Sequence, residues 1–256
     1  MAGMMRASFW QWDRHLEKKE YITEVSKRIE APIIDLKTTL ESSDWSDLHY
    51  HRLKISGEYS FEDEIVISNR NYQKQPGKHV ITPMLIDGSN QYILVNRGFI
   101  PVDYSQEEKR KNFQTPQKET IIGLAKPSVQ RKFFLQPADP TPVIGKKFDS
   151  WLRVDIEKLA IQMQKNLLPI YVEKMETEHF TSKNLVKQGS DKAQMLVMPG
   201  AAERVAMPGL KENLSYPVPD PDKVISAGRH LGYVYEWAFM ALLTGLIGLV
   251  LQLRRY

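Results

Sequence analysis

At 256 residues, 42% hydrophobic and 26% charged, the chain has the length of one or two domains and the balance of a globular protein, which excludes disorder from end to end. A mean hydropathy of −0.41 with a single long apolar run excludes a polytopic membrane protein. The absence of cysteine excludes disulfides, zinc–thiolate sites, iron–sulfur clusters and a cysteine nucleophile, and a net charge of +4 without a concentrated basic face does not point to nucleic acid.

In chain order, residues 6–29 predict a helix. Phe9, Trp12, Leu16, Ile22, Val25 and Ile29 form a loose apolar stripe, Glu24 and Arg28 are a favourable i,i+4 pair, and Pro32 ends the segment. From Tyr50 the period changes to two. Residues 49–59 predict a strand with a glycine break at Gly57, followed by strands over 65–67, 78–86 and 92–97. Asp87-Gly88-Ser89-Asn90 between the last two is a hairpin signal. Residues 119–124 form a further short strand, 105–118 read as a charged loop, and 137–147 as an irregular Pro/Gly-rich stretch. Asp155 is an N-cap for a helix over 156–165, and 167–173 predict the last strand. Residues 176–228 are polar, with Pro and Gly throughout.

The C-terminal segment carries the clearest physical signal. Residues 231–253 contain one charge, Glu236. At 1.5 Å per residue such a helix spans roughly 34 Å, enough for a ~30 Å hydrocarbon layer. Tyr233, Tyr235 and Trp237 crowd one end as an aromatic belt, and Arg254 and Arg255 close the other. Residues 1–12 lack the apolar core of a secretory signal. The expected architecture is therefore α+β, an antiparallel β-barrel-like domain with helical flanks and a C-terminal transmembrane helix. Its divisions are a juxtamembrane helix over 1–30, an extramembrane β-rich domain over 31–228, and a transmembrane helix with a short basic tail over 229–256.

The chain holds no nucleophile elbow, P-loop, HExxH or GxGxxG, and its carboxylates are scattered, with no pair singled out for acid–base work. His49 and His51 would share one strand face, either as two metal ligands or as two solvent-facing residues. Met195, Met198 and Met207 are either soft copper ligands or part of an ordinary loop. His230 stands at the mouth of the membrane helix, where an ionisable residue is a functional candidate. It is either a ligand, neutral imidazole being a common partner of haem iron, or an interfacial residue with its polar tip among headgroups. Tyr233 and Trp237, three and seven residues on, share its helical face.

Several motifs together resemble the surfeit-locus-one family of cytochrome c oxidase assembly factors. Trp10-Gln11, Arg14, Ile22, Arg28 and Pro32 resemble the stretch after that family's first membrane helix. Gly57, Pro76-Gly77, His79-Val80 and Thr82-Pro83 follow in order. The segment Val95-Asn96-Arg97-Gly98-Phe99-Ile100-Pro101 resembles its most recognisable motif, with Phe99 in place of Trp. Trp151 with Asp155, then Pro217 and Pro219, then His230-Leu231-x-Tyr233-x-x-x-Trp237 complete the resemblance.

The resemblance implies an assembly factor, not an enzyme, acting on subunit I of a haem–copper oxidase. Its partners would be subunit I and the haem a synthesis machinery, and haem a would be held by His230 with Tyr233 and Trp237. Trp10, Gln11, Arg14, Asn96, Arg97 and Gly98 are carried over as partner-binding or structural positions. Arg97 is either a salt bridge bracing its loop or a contact to a partner or haem propionate. The implied location is a bacterial or mitochondrial inner membrane, with the β domain on the periplasmic or intermembrane side and the C-terminus in the cytoplasm or matrix. Gly228-Arg229 stand where the family often has asparagines. The family also has a first membrane helix that residues 1–8 cannot supply, so the true start is expected upstream of Met1. The alternatives from other classes are a cofactor-free protein-binding scaffold and a membrane-tethered copper chaperone.

Overall fold

The computed structural model describes residues 2–40, 44–114, 116–175, 216–220 and 228–254, and these fall into two compact units. The described strands are β1 (Ile34–Asp35), β2 (Arg52–Tyr59), β3 (Ile65–Tyr72), β4 (Gln75–Ile86), β5 (Tyr92–Pro101), β6 (Lys118–Pro127), β7 (Ser150–Trp151) and β8 (Leu167–Lys174). All belong to the larger unit. The two longest, β4 and β5, form the hairpin that Asp87-Gly88 signals, with Gly88 at φ +78°. That left-handed conformation is one that glycine adopts at no steric cost.

Five strands close a barrel in the order β2, β6, β8, β5, β4 and back to β2. Counted along the chain this is 1-2-3-5-4-1, the connectivity of the OB-type Greek-key barrel. Barrel neighbours are antiparallel except β5 and β8, and the two-residue strands β1 and β7 also pair in parallel. Alternation along β2 sends Leu53 and Ile55 inward, where they meet Met84, Ile93, Val95, Ile121 and Ile170, all buried. Outside the barrel, Ile65, Ile67, Ile81 and Leu94 pack under Trp151 and the helix α3 (Ile156–Met163). As expected, the Asp155 side chain caps α3, accepting from the Lys158 N–H at 3.4 Å.

The sequence reading needs four corrections. Gly57 does not break β2. It is where the barrel closes, paired with Ile86, and a Cβ there would lie 2.2 Å from the Leu85 carbonyl oxygen. The β2 strand begins at Arg52 because Tyr50 turns with φ +66°, so His49 and His51 precede it and share no strand face. β3 runs on to Tyr72 through a bulge between Ile67 and Arg70, which hides its period. Within 105–118 the chain forms α2 (Glu107–Arg110) and a 3-10 turn at Lys111–Phe113, since Arg110 is drawn inward to 1% exposure.

The described residues of the smaller unit form two helices, α1 (Ala2–Glu30) up to Lys27 and α4 (Gly228–Leu253). Along α4, residues Tyr233–Leu253 are long and apolar enough to cross a membrane, with mean hydropathy 1.8. The first turns of α1 pack on its small-residue face. The Ser8 hydroxyl donates to the Val234 carbonyl at 3.2 Å, and Ala241 is 3% exposed.

Candidate functional site

The Asn96-Arg97-Gly98 motif is a β-bulge. Val80 of β4 pairs with Gly98 and Ile81 with Asn96, so Arg97 is the extra residue on β5. A bulge bends its strand and re-aims a side chain. The Asn96 carboxamide oxygen accepts the Gly98 N–H at 3.1 Å, and its nitrogen lies 3.1 Å from His79 Nδ1. Gly98 takes φ +121°, and a Cβ there would lie 2.0 Å from the Val218 carbonyl oxygen. Without that Cβ, residues 216–220 lie against β5 as a strap. The Phe99 N–H donates to Val218 O at 2.7 Å and the Val218 N–H to Phe99 O at 2.9 Å. Tyr216 packs against Tyr104 and Phe113, with ring centroids 5.8 and 5.9 Å away. Asp220 lies 3.9 Å from His79 Nε2.

The bulge sends Arg97 into a buried ionic cluster. Its guanidinium donates to Glu64 Oε2 at 3.2 Å and to the Phe113 carbonyl at 2.5 Å. It also sits 5.3 Å from the Tyr59 ring and 5.2 Å from the Phe61 ring, within cation–π range. Glu64, 1% exposed, accepts in addition from Arg110 Nε at 3.1 Å, the Thr82 hydroxyl at 2.9 Å and Gln114 at 3.4 Å. Arg110 forks onto Asp149, one arm at 3.1 Å, and donates to Ser105 O. Of the two roles weighed for Arg97, this geometry is that of the brace. Glu64 and Arg110 were not singled out from sequence, because an isolated Glu and an Arg in a charged run look solvated.

Burial also shapes the chemistry nearby. The Tyr59 hydroxyl, pushed well above its ordinary titration range by burial and by Glu119, donates to that carboxylate at 3.2 Å. Tyr59 and Phe61 also line a cleft of about 440 Å³ with Glu58, Glu62, Leu85 and Tyr92.

In the smaller unit, His230 is the third residue of α4. Helical register places positions 230, 233, 237 and 241 on one face. Tyr233 is 45% exposed, Trp237 half-buried and Ala241 covered. On α1, Trp10 is exposed and Gln11 half-buried, while Arg14 lies 5.9 Å from the Trp10 ring and pairs with Glu17 at 2.9 Å. Between the helices, Met5, Ser8, Phe9, Ala238, Ala241 and Leu242 line a cavity of about 220 Å³. Pockets that enclose drug-sized ligands run roughly 300–1,000 Å³. The donor set thus fits haem in chemistry, one helix-borne imidazole with aromatic rings one and two turns on, but this cavity encloses no macrocycle. Met195, Met198 and Met207 lie outside the described residues. Among the described residues no group of three His, Asp or Glu converges on a metal position.

A family model described as the SURF1 family matches residues 1–242. A SURF1-like protein of Caenorhabditis briggsae is 28% identical over 171 residues, covering 59% of this chain and 52% of that protein. One from Rickettsia bellii is 26% identical over 170 residues, covering 64% and 63%. Surfeit locus protein 1 of Mus musculus is 26% identical over 165 residues, covering 59% and 51%. The matched stretch thus spans between half and two thirds of these relatives' own length.

Proposed function

The chain belongs to the SURF1 family, and from that premise we propose that it is a membrane-anchored assembly factor for a haem–copper cytochrome c oxidase. In this reading haem a is cargo on its way to subunit I, received from the haem a synthesis machinery. His230 is its iron ligand, and Tyr233 and Trp237 line the same face. The protein carries and positions and does not catalyse. α4 spans a bacterial or mitochondrial inner membrane, and the barrel works on the periplasmic or intermembrane side.

The observation that carries the reading is the place of His230, at the start of the helix whose residues Tyr233–Leu253 have membrane length and hydropathy. An ionisable residue on a membrane-spanning helix is a functional candidate. A largely apolar macrocycle is held most readily beside lipid, and a helix face with one imidazole, an exposed Tyr233 and a half-buried Trp237 suits it. The test titrates the detergent-solubilised full chain with haem a and follows absorbance. The wild type is expected to give the shifted Soret band of imidazole-ligated haem, which His230→Ala loses while the β-sheet circular dichroism stays unchanged. Equal haem occupancy in the two proteins refutes the ligand assignment.

A second reading, a cofactor-free scaffold, is favoured by two features of the site. The cavity beside α4 is small, and the guanidinium suited to a propionate is already paired with Glu64. On that reading neither protein binds haem, and both capture subunit I equally.

A further inference from the structure

Among the described residues outside α4, one run of three consecutive large apolar side chains faces solvent. Phe133 is 67% exposed, Phe134 84% and Leu135 82%. The run sits at the tip of a bonded turn. The Gln136 N–H donates to Phe133 O at 3.1 Å, the Lys132 N–H to the Gln136 side chain at 3.1 Å, and Arg131 Nε to Phe133 O at 3.0 Å. A second Arg131 nitrogen bonds Phe134 O. The turn thus satisfies its own carbonyls with Arg131 and holds the rings outward. Arg131 and Lys132 form its shoulder, and no Asp or Glu occurs between Pro127 and Asp139. A second turn repeats the chemistry. Val143 and Ile144 are 53% and 74% exposed, Val143 bridges to Lys146 across Gly145 at φ +80°, and Lys146 supplies the basic charge, since Lys147 is held by Glu107 at 2.8 Å.

Three adjacent exposed apolar residues are unusual on a soluble surface and mark a place where something docks. We propose that the 131–136 turn, aided by the 143–147 turn, binds the surface of an anionic bilayer. Phe133, Phe134 and Leu135 enter the boundary between headgroups and acyl chains, and Arg131 and Lys132 meet lipid phosphates. Two arguments choose lipid as the occupant. Apolar tips on basic shoulders match an anionic interface in both polarity and charge. The same polypeptide also carries a helix of membrane length, so a tethered bilayer is present at high effective concentration. The inference uses neither haem nor oxidase and stands apart from the proposed function.

The cysteine-free sequence makes the test clean. Phe134→Cys in the full chain gives a unique attachment point for an environment-sensitive fluorophore, with Asn90→Cys in the exposed β4–β5 turn as the control. Both proteins are reconstituted into phosphatidylcholine vesicles with and without phosphatidylglycerol. Quenching by nitroxide-labelled lipid and by aqueous iodide is then compared, while vesicle flotation reports separately on anchoring by α4. The expected result is a blue-shifted probe at 134, quenched by nitroxide lipid and shielded from iodide, with the effect growing with phosphatidylglycerol. Lys132→Gln should weaken lipid contact by about fivefold, the factor for one basic residue near an anionic surface. A probe as open to iodide as the one at 90 overturns the proposal. So does a probe shielded from both quenchers, which would mean that a protein surface covers the turn.

Discussion

Gly98→Ala is the most informative single change in the larger unit, because two responses are open to it and both are expensive. If the strap stays in place, the new methyl must be accommodated against the Val218 carbonyl oxygen, now 2.0 Å from its position, with alanine held at φ +121°. A non-glycine residue in such a conformation costs about 1–3 kcal/mol, and overpacking a tight site costs about 1–3 kcal/mol more. If the strap lifts, both Phe99–Val218 hydrogen bonds go, at about 1 kcal/mol each. Val218, 4% exposed, also returns to water, at about 1.5–3 kcal/mol. The first response costs about 2–6 kcal/mol and the second about 3.5–5 kcal/mol, so a loss of about 3 kcal/mol is taken as the expectation. At about 2–4 °C per kcal/mol for a unit of this size, the expected drop in Tm is about 6–12 °C. Circular dichroism melting of the full chain in detergent measures it. Hydrogen exchange at the Phe99 and Val218 amides separates the two responses, since only a lifted strap frees both N–H groups. A Tm within a degree of wild type and unchanged exchange would refute the claim that glycine is needed for the strap to cross β5.

Glu64→Ala leaves the guanidinium groups of Arg97 and Arg110, 5% and 1% exposed, without their shared carboxylate. The loss in urea unfolding is expected near 3–5 kcal/mol. A loss below about 1 kcal/mol would mean that water already screens the cluster. Arg97→Lys keeps the charge but cannot span both Glu64 and Phe113 O, so a smaller loss of about 1–3 kcal/mol is expected. A lysine variant as stable as wild type argues against the brace. Burial and the charge of Arg28 hold His49 and His51 below their ordinary value of 6.5. The unfolded chain therefore takes up protons first, and stability should fall as the pH drops below about 6.5. Melting at neutral and mildly acidic pH should show a weaker pH dependence for the His49→Gln, His51→Gln double variant, and an identical slope would acquit both residues. Removing residues 228–256 is expected to leave the barrel's spectrum and release the chain from vesicles in flotation, whereas a collapsed β signal would make α4 part of the fold.

The elements legible in the sequence were those whose signal is local. The β4–β5 hairpin was announced by Asp87-Gly88, α3 by its Asp155 cap, and the apolar length of α4 by composition alone. What escaped depends on partners far away in sequence. β1 and β7 are two-residue strands that exist only through Leu53–Lys54 and Val66–Ile67. Gly57 looked like an interruption because nothing in its neighbourhood shows that β4 will pass so close. The same holds at the site. Residues 96–98 were marked as important, but the bulge that explains them requires the register of β4 and the arrival of Val218. Arg110 was lost in a charged run because its partners, Glu64 and Asp149, lie 46 and 39 residues away.

The closing of the barrel by one late strand has a consequence for how this chain is made. Before β8 exists, β6, β2, β4 and β5 can already form an open sheet, because their pairings are all complete without it. That sheet ends on two bare edges, β5 and β6, and both are satisfied by the same strand, Leu167–Lys174, on opposite sides. Bare edges invite pairing with other chains. Roughly 50 residues separate the end of β6 from the end of β8, which at about 5–20 residues per second leaves a window of about 2–10 s on the ribosome. During that window the nascent chain is a sheet with two adhesive rims, and the first neighbour to reach either rim competes with the chain's own last strand. Loss of β8, by truncation or by a proline within it, should therefore turn a closed barrel into an aggregating sheet rather than into a smaller stable one.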